Sequence, residues 1–281
     1  MEVKFHLPGL RQNYPLNMLV LSMLKQKPEW FREGVQIASF FGEFPTSLWN
    51  GGRPSNYDQC DAAFIQNVIK SINAQGVPVR YTYTNMLLTE EDLADPYCNF
   101  CMQAADNGMN EVMIFSPILE RYIREKYPSY KLNSSICKEI RDIAQVNEEL
   151  KKDYYLVVLD YNFNNKFEEL AKIEDKARCE ILVNTLCTPN CPRRGEHYQN
   201  IARNQRTLLE NRKLPRSSRN RWNTGTASTA NITVSIRSRD TVPIFPRRTS
   251  GISTCPWDST SSRLKAEPPT SFPWWRPMPI I

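Results

Sequence analysis

A chain of 281 residues, 41% hydrophobic and 11% aromatic, holds enough apolar material for one large α/β domain or two small ones, and this excludes wholesale disorder. Its formal charge of +6 is uneven: residues 211–281 carry 12 Lys+Arg against 3 Asp+Glu, whereas residues 1–210 carry 24 against 27. The body is therefore slightly acidic, and only the tail suits a polyanion such as nucleic acid.

Short β-rich runs alternate with helical stretches at a spacing of roughly 30 residues, the pattern of βα units. The first strand is expected at Val3–Leu7. The apolar run Leu16–Leu24 that follows contains Asn17, is too short to span a bilayer and lacks the flanks of a signal peptide. It reads as a buried helix in a cytoplasmic protein with no membrane association. In that compartment the eight cysteines stay reduced, which favours thiol or metal chemistry over disulfides.

The second strand is expected at Val35–Phe41. It leads into Phe41-Gly-Glu43-Phe-Pro-Thr-Ser-Leu-Trp49-Asn-Gly-Gly-Arg53, a loop with one carboxylate among aromatics and glycines. Gly51 and Gly52 allow close backbone approach to a ligand; a long turn stapled by Trp49 accounts for the loop equally well. Ala62, Ile65, Val68, Ile69 and Ile72 form a helix face, stopped by Asn73–Gly76 before a third strand at Val77–Tyr83. Cys98 and Cys101 sit in a helix, in positions suited to packing.

Asn107–Gly108 precedes a fourth strand, Glu111–Phe115, and Ile118, Leu119 and Tyr122 begin the next helix. A fifth strand is expected at Tyr130–Asn133, with Ile136, Ile140, Ile143 and Val146 as its helix. A sixth follows at Tyr154–Asp160 and a seventh at Glu180–Asn184. Several of these runs are continuously apolar, as in strands buried on both faces. The fold class is therefore α/β: a TIM-like (β/α) barrel over residues 1–210, with about seven parallel strands and incomplete closure. A doubly wound open sheet is the alternative, although no glycine-rich phosphate turn follows the first strand.

Barrel strands deliver their carboxyl ends to one mouth, so polar residues at those ends are the candidates for function. Glu43, Asp160 and His197 are the candidate catalytic residues. Asn85, Ser116, Asn184 and Arg194 are the candidate substrate-binding residues. The densest cluster runs Asn184-Thr-Leu-Cys187-Thr-Pro-Asn-Cys191-Pro-Arg-Arg194-Gly-Glu-His197-Tyr198. Cys187 and Cys191 are spaced to reach one metal ion or iron–sulfur cluster, but such sites need about four ligands. Two reduced cysteines in a loop remain the other reading. With His6 and His197 as the two histidines, no Ser–His–Asp order, zinc-protease helix or Walker loop is present.

From residue 211 the character changes. All 12 tyrosines lie at or before Tyr198, four of the six tryptophans lie at or after Trp222, and Ser, Thr, Pro and Arg dominate. One reading is a disordered basic arm for nucleic acid. A shifted reading frame is the other. Each new codon then takes its first base from one residue's wobble position and two from the next residue. Over Ile252–Ile281 this permits LDMPLGFNFFKIEGRTTNLISLVETYAYY, an eighth strand (FNFFKIEGR) followed by an amphipathic helix. Near Trp222 it permits EYWYCQYG, with a further cysteine. A frameshift between Asn211 and Trp222 explains the change in composition.

Four segments, in order, resemble the collagenase-like peptidase family. Gly76-Val-Pro-Val-Arg-Tyr-Thr-Tyr-Thr-Asn85 is similar to its third strand, and Asn110-Glu-Val-Met-Ile-Phe-Ser116-Pro117 to its fourth-strand step. Tyr130-Lys-Leu-Asn-Ser134-Ser135 is similar to the fifth strand, and Asn184…Cys187…Cys191-Pro…Arg194…His197-Tyr198 to the late cysteine segment. The resemblance implies either peptidase activity or a role in hydroxylating tRNA or the ubiquinone ring, the latter through a four-cysteine 4Fe-4S cluster. Peptide, RNA and small-molecule substrates are all compatible with it. Cys187 and Cys191 match that cysteine pattern, whereas its downstream partners are missing in the frame as written.

Overall fold

The computed structural model describes residues 2–52, 58–183, 185 and 187–213, with backbone alone at 212 and 213. The expectations for Arg53, Asn184 and the tail from 214 onward lie outside the described residues.

Seven strands form one parallel sheet in the order of the chain. They are β1 (Val3–Pro8), β2 (Val35–Gly42), β3 (Val79–Tyr83), β4 (Glu111–Ile114), β5 (Lys131–Ser134), β6 (Leu156–Val158) and β7 (Cys179–Glu180). Between them run α1 (Tyr14–Gln26), α2 (Ala62–Asn73), α3 (Pro96–Ala104), α4 (Pro117–Lys126), α5 (Ile143–Leu150) and α6 (Phe167–Ala171), and α7 (Arg194–Lys213) follows β7. The sheet is curled. Glu180 Oε2 on β7 lies 2.5 Å from Arg80 Nη1 on β3 and 3.6 Å from His6 Nε2 on β1. Since β1 pairs with β2 and β7 with β6, and not with each other, the architecture is an incomplete TIM-like barrel.

Local chemistry sets the element boundaries. Asp61, Asp95 and Asp142 cap α2, α3 and α5 by accepting from the N–H groups of Phe64, Cys98 and Ala144. Pro96 and Pro117 occupy first turns, where no N–H is needed. Ile65, Val68, Ile69 and Ile72 are the buried face of α2, as their spacing predicts. Cys98 and Cys101 are buried on α3 against the outward face of β3. β3 starts at Val79 rather than Val77 because Pro78 has no N–H to pair and the Val79 N–H donates to Asn110 Oδ1 at 2.7 Å.

Two expectations need correction. Leu16–Leu24 does lie in a helix, but α1 buries only Asn17 and Leu21, leaving Leu16 58% and Leu19 55% exposed. Ile136 to Val146 is not one helix. A short 3-10 turn at Ile136–Lys138 ends at Glu139, whose φ of 51° breaks the helical path, and Asp142 starts α5 afresh.

Candidate active site

The carboxyl end of β2 runs into a loop, residues 43–50, that is fastened on three sides. Trp49, fully buried, donates from Nε1 to Asp92 O at 2.8 Å. Asn85, beyond the end of β3, donates to Leu48 O at 2.7 Å and accepts from the Leu87 N–H at 2.9 Å. Gly51 packs so close to β3 that an added Cβ would stand 2.3 Å from the Thr84 carbonyl. The close approach expected of that glycine is therefore made to the strand end. Two features of the loop are unfavourable in isolation. Thr46 is held at φ 76°, a conformation strained for a β-branched residue. Glu43 Oε2 is buried with no hydrogen-bond partner, and burial pushes this carboxyl well above the usual range.

Opposite, at the end of β6, Asp160 accepts from Arg194 twice, Nη1–Oδ1 at 3.0 Å and Nη2–Oδ2 at 2.7 Å. Both side chains are almost fully buried. Asp160 Oδ1 also caps the turn after β6 by accepting from the Asn162 N–H, and Arg194 Nη2 donates to Ile136 O at 3.2 Å. The Arg194 guanidinium stacks over Tyr161, 4.3 Å from the ring centroid. Two residues nominated for separate roles are thus one buried ion pair, with Glu139 Oε2 a further 3.7 Å from Arg194 Nε.

Arg194 opens α7, and α7 does not lie outside the barrel as a repeating βα unit would place it. Farther along the helix, Gln205 donates to Ser47 O at 2.8 Å, and Arg206 binds Asp92 at 2.6 Å and Leu87 O at 3.2 Å. Every one of these partners follows the carboxyl end of a strand. A helix of 20 residues is about 30 Å long, so α7 runs across the mouth from β5 and β6 to the loops after β2 and β3. Among the described residues, buried polar atoms without partners include Asn162 Nδ2 after β6 and Asn204 Nδ2 and Gln205 Oε1 on α7.

The remaining candidates are spread around this mouth. Ser116 is buried at the N-cap of α4, with no side-chain capping bond. His197 lies in the first turn of α7 with its ring centroid 6.4 Å from that of Tyr198. Cys191 is buried, and Cys187 is half-buried with its N–H bonded to Thr185 Oγ1. Two thiols fall short of the about four ligands that zinc or a cluster requires. Among the described residues no group of three His, Cys, Asp or Glu side chains could hold a metal. Cys137 sits at the mouth, hydrogen-bonded to Ser135 and Thr84, and burial pushes its thiol up.

Sequence reasoning missed a second polar layer, inside the barrel. Arg80 is fully buried and bonds Glu111 Oε2 at 2.7 Å as well as Glu180. Asn133 donates to Glu111, and His6 Nδ1 meets Ser39 Oγ at 2.7 Å. Burial, with Arg80 nearby, lowers the His6 pKa to about 4, so the imidazole is neutral at pH 7. The available signal was a charge inside an otherwise apolar strand, as in Val-Pro-Val-Arg80-Tyr.

No family model matches this chain, and no curated protein matches it. Among solved structures it is similar to the U32 peptidase Mk0906, at 12% identity and a TM-score of 0.49, over 80% of this chain and 85% of that one. A likeness that loose carries no argument about the chemistry of this mouth.

Proposed function

We propose that the protein is an enzyme-type barrel related to the collagenase-like peptidases, acting at its α7-roofed mouth with Glu43 as proton donor. The observation that carries this reading is the buried, unpartnered Glu43 oxygen on a strained loop at the carboxyl end of β2. A carboxyl kept neutral near pH 7 can give its proton to a leaving group or a developing oxyanion, and strain gathers at working sites. The ordered sequence segments support the family relation, and with it a peptide as the substrate class. Asp160 and Arg194 then act as positioning residues that brace α7. Asn85 holds the Glu43 loop in place, and Ser116 and His197 line the approach.

Metal or iron–sulfur dependence would use Cys187 and Cys191, with further ligands from outside the described residues. Among the described residues no helix is long and apolar enough to cross a membrane, and their seven cysteines are all free, which supports a reducing, cytoplasmic setting. Gelatin cleavage at pH 7 tests the reading. The full chain should cleave gelatin with or without chelator, and Glu43→Gln should lose about a hundredfold at unchanged melting temperature. Undiminished cleavage by Glu43→Gln, loss with chelator, or no cleavage by either form contradicts it.

A further inference from the structure

Two routes of hydrogen bonds run from the second half of α7 into the loop that carries Glu43. On the first, Gln205 donates to Ser47 O at 2.8 Å, and the Ser47 hydroxyl donates to Phe44 O at 2.8 Å, next to Glu43 in the chain. On the second, Arg206 grips Asp92 with both ends of its guanidinium, Nη1–Oδ1 at 3.2 Å and Nη2–Oδ2 at 2.6 Å, and Asp92 O accepts from the Trp49 indole at 2.8 Å. Thr89 donates to the same carboxylate from its N–H and its hydroxyl, which fixes Asp92 on the barrel side. Phe44, Ser47 and Trp49 are all fully buried.

The bond from Ser47 to Phe44 spans Thr46, the residue held at φ 76°. A strained conformation persists only where its surroundings over-determine it, and α7 fastens Ser47 from the other side. The anchor at Arg194 cannot do this, because it stands about 17 Å up the helix from Gln205, against the ends of β5 and β6. Packing alone does not account for an amide at this position. Gln205 is 1% exposed and its Oε1 has no hydrogen-bond partner, whereas an apolar side chain there would bury no unpaired oxygen.

We infer that Gln205 and Arg206 are positioning residues that couple α7 to the 43–50 loop, so that Glu43 keeps its buried place only while the second half of α7 is seated on the mouth. The inference rests on the reading of Glu43 as proton donor and adds how that donor is held. Each residue acts through the loop, by way of Ser47 or Asp92. Seating of α7 and placement of the donor are then one event, as when closure of a lid completes a catalytic constellation.

Full-length Gln205→Leu, Arg206→Gln and, as a control, Arg203→Gln test it. Arg203 is exposed and bonds Gln199 and Asn200 of α7 itself. Each variant is compared with the same chain carrying Glu43→Gln, by infrared difference spectra at pH 7 and by kcat and KM for gelatin. Gln205→Leu and Arg206→Gln should each lose most of the protonated-acid band of Glu43 and about tenfold in kcat, with KM within about twofold. Gln205→Leu should do so at an unchanged melting temperature, because it removes an unpaired buried oxygen together with the bond to Ser47. Arg203→Gln should change neither readout. A full-sized acid band in Gln205→Leu, or a loss confined to KM, overturns the inference even where Arg206→Gln fails to fold. An equal loss in Arg203→Gln overturns it too, since that would mark a general loosening of α7. An acid band absent from the parent chain overturns the reading of Glu43 and this inference with it.

Discussion

Replacing Arg194 with methionine keeps most of the side-chain volume and removes the charge that neutralises Asp160. Two charge-assisted hydrogen bonds to Asp160, at 3.0 and 2.7 Å, disappear together with the bond to Ile136 O. The Asp160 carboxylate, with a side chain 0% exposed, is left with the Asn162 N–H and a long ion pair to Arg141 Nε at 3.9 Å. Breaking one side of a buried pair costs about 3–5 kcal/mol, a large share of the roughly 5–15 kcal/mol by which a domain is stable. Asp160→Asn should cost less, because the amide oxygen can still cap the Asn162 N–H. The double variant Asp160→Asn/Arg194→Met should recover part of the loss, because no uncompensated charge remains. Urea unfolding at pH 7 measures all three. A loss under about 1 kcal/mol for Arg194→Met, or strictly additive losses, would show that the pair does not fasten α7 to the mouth.

Other consequences follow from the geometry. Burial alone would raise the Glu149 pKa, but hydrogen bonds from Lys138, Lys152 and Ser134 outweigh it and hold the carboxyl down to about 2. A depressed acid stabilises the fold above its ordinary pKa of 4.5, so this contribution should fade as pH falls from 4.5 towards 2. Its ceiling is about 3 kcal/mol, and Glu149→Gln should flatten that limb of the stability–pH curve; an unchanged limb would refute the assignment. Gly51→Ala would set a methyl group 2.3 Å from the Thr84 carbonyl, so the 43–50 loop must move. Its melting temperature should drop and gelatin cleavage should fall with it, whereas a variant indistinguishable from the parent would mean that the loop adapts freely.

The fold was readable because its signals are periodic. Continuous apolar runs such as Tyr154–Leu159 and the helix face of Ile65, Val68, Ile69 and Ile72 place strands and helices without reference to distant contacts. Boundaries failed where a side chain replaces backbone pairing, as Asn110 does at Val79, or where a left-handed residue interrupts a helical spacing, as Glu139 does. The burial of α1 was misjudged because apolar composition does not reveal whether a neighbouring element is present to cover it. At the mouth, polarity at strand ends singled out Asp160 and Arg194 but not that they pair, since a bond between positions 34 apart in sequence leaves no local trace. The course of α7 across the mouth was hidden for the same reason: it depends on Gln205 and Arg206 reaching loops more than a hundred residues upstream.

The protonation state of Glu43 is the most direct test of the account, because the proposed chemistry needs this carboxyl to be neutral at working pH. Infrared difference spectra of the full chain against Glu43→Gln at pH 7 should contain the carbonyl stretch of a protonated carboxylic acid that the variant lacks. A difference spectrum with only the bands of an ionised carboxylate would contradict the proposal.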